Sequence, residues 1–351
     1  MSDISRFDRR RVTAASAVAL LTAAVSTHVA ASAEDFSACL VTSSAGISDR
    51  SFNQAAWEAM TRAEDELGIE IEHLAQSGST DYLTLGQQFV SAGCSLIIGM
   101  GFDLKEAISG LALAHPDIDF VLVDDTLNQA TDNAVSLVYQ SDQASFLGGY
   151  LAAGLTESGV VGVYGNQPIP PVTLYMDGFV YGVEHYNEVN DAEVEAIGWD
   201  PASQTGQFVG SFTDVNQGKL ITESQLQEGA DVIFPVALPV GTAAAVREAG
   251  GPDAGKYMLW IDSDGCAQSP EYCDLIVTTV EKKIDTSLFD VIAATVDGEF
   301  PAGEYVGTLA NEGVGLAEFH DLVDVVPDEL QAELEQLATD IVDGSITIGP
   351  A

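Results

Sequence analysis

SACLVTSSAGISDRSFNQAAWEAM, residues 37–60, decides the fold. An apolar run, Ala38–Thr42, passes through a polar, glycine-containing loop to Ser51, with Gln54 three residues on. That spacing is a capping box. It predicts a strand, a turn and a helix starting at Ser51, whose free N–H groups point beyond the strand's carboxyl end. Further apolar runs follow at Ile69–Leu74, Ser95–Met100, Phe120–Asp124, Val135–Tyr139, Val160–Tyr164, Val194–Ile197, Asp231–Val236, Tyr257–Ile261 and Leu275–Val280. Helical spacing marks Ser51–Leu67, Tyr82–Ala92, Gln143–Leu155, Thr173–Tyr186 and Val215–Glu228 between them. Near-continuous apolar strands alternating with helices predict parallel sheets covered on both faces, an α/β fold.

Some ten strands exceed one compact doubly wound sheet, so the 351 residues are expected to form two such lobes. The chain is expected to change lobe near Asp142 and again after Asp285. One lobe then holds residues 34–142 with about 286–325, the other 143–285, and 326–351 forms a C-terminal helical segment. Ligands in such folds bind beyond the carboxyl ends of strands, here in a cleft between the lobes. Hinge crossovers join the two halves.

Residues 1–33 read as a secretory signal peptide. Arg9-Arg10-Arg11 precedes an apolar run from Val12 to about Val25, and Ala31-Ser32-Ala33 supplies the cleavage signal. The expected location is therefore periplasmic or cell-surface, with the adjacent arginines leaving a twin-arginine route open. Cys39 follows Glu34-Asp35 and sits in a core strand, so a lipid anchor there is not the preferred reading.

The chain carries 12 basic against 54 acidic residues, a formal charge of −42. Loss of the leader's four arginines and two aspartates takes it to −44. Nucleic-acid binding is excluded, because phosphates would be repelled. Such acidity points to a salt-adapted protein, since carboxylates repel one another unless screened. Four cysteines in an exported chain invite pairing. Cys266 and Cys273 bracket a short loop, while Cys39 and Cys94 fall on strands that neighbour each other in a doubly wound sheet.

At the strand ends, Phe52 in the first helical turn suits contact with a flat ligand, with Asp49 and Asn53 as hydrogen-bonding neighbours. The same residues also suit a capped helix with Phe52 as its hydrophobic staple.

Gly46-Ile47, Asp49, Ser51-Phe52-Asn53-Gln54 and Trp57 resemble the basic membrane protein family, the purine-nucleoside-receptor-like substrate-binding proteins of ABC transporters. The resemblance continues through Ser141–Gly154, Ile169–Thr173, Met176–Phe179, Gly210–Asp214 and Gly229–Phe234. It implies a periplasmic binding protein type I-like fold that closes on its ligand, with rings stacking on a base and carboxylates holding a ribose. By motif position Phe52 resembles one stacking ring, and Phe212 or Phe179 the second. Asp124 resembles the strand-terminal ribose-binding aspartate; Asp262 and Lys282 match the remaining polar positions. The resemblance implies a nucleoside, expected to be a purine nucleoside, and a membrane permease as partners; no cofactor, no metal and a monomer are expected.

Two departures bear on the ligand. Ser43 stands where many relatives have Asp, and Leu238 replaces a glycine in a turn that is shorter here. A flavin, another flat heteroaromatic or a sugar would use the same rings. An enzyme is harder to build: no metal-like Cys/His spacing occurs, and Gly99-Met100-Gly101 lacks the third glycine of a dinucleotide loop. Asp124-Asp125 leaves nucleoside hydrolysis as the enzymatic rival.

Overall fold

The computed structural model describes residues 36–77 and 81–349; the leader lies outside them. Strand β1 (Ser37–Thr42) leads to α1 (Phe52–Leu67), followed by β2 (Glu70–Ala75), α2 (Tyr82–Ala92), β3 (Leu96–Met100), α3 (Lys105–Ala114), β4 (Asp119–Val123) and β5 (Ala134–Tyr139). The chain then crosses over. It continues as α4 (Ser141–Leu155), β6 (Val160–Gly165), α5 (Pro170–Asn190), β7 (Glu195–Ile197), a small hairpin of β8 (Trp199–Asp200) and β9 (Thr205–Gly206), and α6 (Val215–Gln227). Next come β10 (Val232–Val236), α7 (Val240–Glu248), β11 (Tyr257–Asp262), α8 (Gly265–Gln268) and β12 (Ile276–Lys282). A return crossover gives α9 (Ile284–Val296), β13 (Gly303–Gly307), β14 (Val314–Leu316) and α10 (Asp328–Val342).

Two six-stranded sheets result, ordered β13-β5-β4-β3-β1-β2 and β14-β12-β11-β10-β6-β7. All their pairings are parallel except β12–β14. In β1, Ala38 and Leu40 face α1 and α9 while Cys39 and Val41 face α2 and α3, the two-residue period of a sheet buried on both sides. The Cys39–Cys94 disulfide ties β1 to the turn two residues before β3, with Cα atoms 6.2 Å apart, and Cys266–Cys273 closes its loop at 4.6 Å.

Three details differ from the sequence reading. The chain crosses between lobes a third time, because β13 joins the first sheet and β14 the second. Residues 314–316 thus belong with the lobe that the expected boundary of about 286–325 excluded them from. Three residues of antiparallel edge strand are too short to announce themselves by periodicity. The capping box at Ser51 is also absent. Asp49 caps α1 instead, accepting from the backbone N–H groups of Ser51, Asn53 and Gln54 at 3.1, 2.9 and 3.0 Å. Ser51 is drawn across to the other lobe, and Gln54 Oε1 accepts from the Arg50 N–H at 3.2 Å. Finally, Phe179 is fully buried on α5, its ring 5.5 Å from that of Phe234.

Helices α4 and α5 pack backbone to backbone. A Cβ at Gly149 would collide with the carbonyl of Phe179, and one at Gly182 with that of Phe146. Helix α10 lies on α4, with Leu330 over Gly154 and the Tyr150 hydroxyl donating to Glu333 at 2.9 Å. The crossovers are tied together as well. Leu309 N–H donates to Gln143 Oε1 at 2.9 Å, and Gln140 N–H to the Gly307 carbonyl at 2.8 Å.

Candidate ligand-binding cleft

The carboxyl ends of both sheets converge on a cleft of about 800 Å³, its open mouth included. Of the residues singled out in the sequence, Ser43, Asp49, Phe52, Asn53, Asp124, Phe212, Leu238, Asp262 and Lys282 line it. Phe179 does not, because α5 turns it into the core beneath β10. Of the two candidates for a second ring, only Phe212 reaches the cleft.

The polar centre is built from strand ends of opposite lobes. Lys282, the last residue of β12, is 2% exposed and donates to both Asp124 oxygens at 2.7 and 2.8 Å. Asp124 follows β4 of the other lobe. Three rings surround the ammonium: Tyr175 at 4.9 Å, Phe52 at 5.7 Å and Tyr139 at 5.8 Å. A cation facing aromatic rings is held by their quadrupoles.

Asp262, the last residue of β11, accepts from Ser51 Oγ at 2.6 Å and from the Tyr175 hydroxyl at 3.2 Å. Burial pushes its carboxyl up to about 6, opposed by Lys282 and the Ser51 hydrogen bond and reinforced by Asp124 and Asp49. Burial and the nearby carboxylates of Asp262 and Asp124 hold the Tyr175 hydroxyl well above its ordinary value, so it is a donor at neutral pH. Asp49 is also raised by burial, against the N–H groups it caps.

Asn53 donates its amide nitrogen to Asp49 Oδ2 at 2.8 Å. An ionised carboxylate only accepts, which fixes the amide's orientation. Asn53 Oδ1 is therefore left buried without a protein partner, as is Asn166 Oδ1 just past β6. Buried acceptors of this kind are costly unless something donates to them, so the cleft is suited to a ligand bearing N–H or O–H groups.

The sequence reading missed Tyr175, Asn166, Tyr82, Phe102 and Asp103, all in the lining. Asn166 follows β6, while Phe102 and Asp103 follow β3 and Gly101. Applying the strand-end rule to every strand would have found these three. Tyr175 and Tyr82 lie within helical stretches and carry no local signal.

The family model for PnrA-like ABC transporter substrate-binding proteins, Bmp, matches residues 36–350. An ABC transporter nucleoside-binding protein, BmpA of Lactococcus lactis, is 30% identical, covering 97% of this chain and 99% of its own. An uncharacterized lipoprotein of Pyrococcus abyssi is 28% identical over 81% of this chain and 73% of its own. Among solved structures, an ABC transporter solute-binding protein of Aeropyrum pernix superposes with a TM-score of 0.77 at 23% identity, covering 89% of this chain and 92% of that one. That likeness is one of fold.

Proposed function

The chain belongs to the PnrA-like family of ABC transporter substrate-binding proteins, and from that premise we propose that its ligand is a nucleoside, most simply a purine nucleoside. The observation that carries this reading is the grouping of Asp124, Asp262 and Lys282 with the rings of Phe52, Tyr175 and Phe212 in one cleft. Ribose hydroxyls donate to carboxylates in charge-assisted bonds, roughly twice as strong as neutral ones. A base stacks on an aromatic ring for ~1–3 kcal/mol. Asn53 Oδ1 and Asn166 Oδ1 would accept from the ligand.

Function here is capture without a chemical step. Among the described residues, all four cysteines are paired and no histidine lines the cleft, while the carboxylates of Asp124 and Asp262 are engaged by Lys282, Ser51 and Tyr175, which supports this reading. Ligand binds the open form, the lobes close about the three crossovers, and the closed surface is presented to a membrane permease. Cys39 lies inside β1 and is bonded to Cys94, which supports export without a lipid on that residue.

Native mass spectrometry with adenosine, guanosine, inosine, riboflavin and ribose tests the reading. One purine nucleoside bound per chain is expected, recovered intact after hours. Binding of riboflavin or ribose alone would overturn the nucleoside assignment, and release of free base would overturn the absence of chemistry.

A further inference from the structure

A second set of contacts joins the lobes outside the cleft. Arg50, Gln54 and Glu58, at the start of α1, face the loop closed by Cys266 and Cys273. Arg50 Nη1 donates to Ser269 Oγ at 3.1 Å and to Glu271 Oε1 at 2.5 Å. Gln54 donates its amide to Gln268 Oε1, and Gln268 donates its own to Glu58 Oε1 at 2.8 Å. The Trp260 indole donates to the Arg50 carbonyl at 3.2 Å. Arg50, Gln54, Glu58, Trp260, Gln268, Ser269 and Glu271 all lie outside the cleft lining, although their neighbours Ser51, Phe52, Asn53, Ile261 and Asp262 belong to it.

The loop is held stiff from within its own lobe. The disulfide joins cysteines only seven positions apart. Arg247 forks onto both Asp274 oxygens at 2.7 Å and donates to the Glu271 carbonyl at 2.8 Å. Asp264 caps α8 through the Cys266 N–H at 3.0 Å, and its other oxygen meets His320 Nε2 at 2.9 Å. A contact surface fixed in advance loses less entropy when its partner arrives. Arg50 is likewise preset, in left-handed backbone at φ 61°.

Given the reading that the lobes close around a small ligand, we propose that Arg50 and the disulfide-closed loop Cys266–Cys273 form an interlobe latch that sets the rate of ligand release. These are positioning groups. Each acts only on the closed form, so its loss changes how fast the lobes reopen and leaves encounter with ligand alone.

The test is stopped-flow binding and release of guanosine by the wild type, Arg50→Ala, Glu271→Gln and Cys266→Ser/Cys273→Ser. Exposed pairs and single hydrogen bonds being individually modest, release is expected to quicken about three- to tenfold, with association within about twofold. Hydrogen exchange without ligand gives a second readout across the lobes. Arg50→Ala should speed exchange of amides 266–273, and the cysteine pair variant should speed exchange at 50–54. Unchanged release rates overturn the latch. If guanosine does not bind the wild type, the nucleoside reading fails separately and exchange decides: faster cross-lobe exchange supports the latch, and unchanged exchange overturns it.

Discussion

Asp124 and Asp262 end equivalent strands of the two lobes, each the third from the corresponding sheet edge, and both take left-handed backbone, at φ 71° and 65°. Outside glycine that conformation costs about 1–2 kcal/mol per residue, and it persists where surrounding structure enforces it, often at functional sites. The neighbouring strands end in Tyr139 on one lobe and Lys282 on the other. Lys282 and Asp262 thus lie on neighbouring strands of one lobe, and Asp124 of the other lobe meets the lysine across the cleft.

Lys282→Met should separate fold from function. Breaking a buried ion pair costs about 3–5 kcal/mol when the remaining charge stays buried. Here the lobes can part and readmit water to Asp124, so the loss should fall on closure. Guanosine affinity is expected to drop at least about tenfold, with the urea midpoint little moved. A lowered midpoint with unchanged affinity would assign Lys282 to the fold alone.

Asp262 gives a pH dependence of unusual sign. Its folded value of about 6 lies above the ordinary carboxylate value, so the folded protein holds this proton more tightly than the unfolded chain. At pH 7.5 the ionised, buried group therefore opposes folding, and that penalty fades as pH falls through 6 towards 4. Asp262→Asn should be stabilised relative to wild type at pH 7.5, by up to about 3 kcal/mol, and lose most of that advantage, though not all of it, at pH 4.5. Urea unfolding at both pH values checks this. A variant relatively less stable at pH 7.5 than at 4.5 would mean that Lys282 and Ser51 outweigh burial.

The ten apolar runs read in the sequence all became strands: the inner ones are buried on both faces and need unbroken Val, Ile and Leu, while β2 and β7 are partly exposed edge strands. The cleft residues on strand ends were legible for the same reason, since a strand's end fixes where its next side chain goes. Ser51 was misread as a cap because its true partner, Asp262, lies 211 residues away. Phe179 was misplaced because a motif position does not say which way a helix faces; only the packing of α5 on α4 settles it. The stretch Ser141–Gly154 carried the resemblance without a stated role, and the packing supplies one: Gly149 lets two helix backbones touch.

The three phenylalanines should therefore separate cleanly. Phe52→Ala and Phe212→Ala remove cleft rings and should each cost ~1–3 kcal/mol of nucleoside affinity, with stability nearly unchanged. Phe179→Ala should cost about 3–5 kcal/mol of folding stability and leave the affinity of the folded protein alone. Calorimetric titration beside urea unfolding distinguishes the cases. Lost affinity without lost stability in Phe179→Ala would return that ring to the site.

Acidity sets the last expectation. With 54 acidic and 12 basic residues, carboxylates outnumber the cations that could pair with them by more than four to one. Their repulsion disfavours the compact state, and the Debye length shrinks from ~10 Å at 0.1 M salt to ~3 Å at 1 M. Relief of about 2–3 kcal/mol would raise Tm by roughly 3–5 °C for a chain of this size. Most of that rise should come by 0.5 M NaCl, because screening saturates. A steady climb with sodium sulfate or sucrose would instead reflect exclusion of cosolute from the surface. Unchanged melting between 0.1 and 2 M NaCl would remove salt adaptation as the reason for the charge.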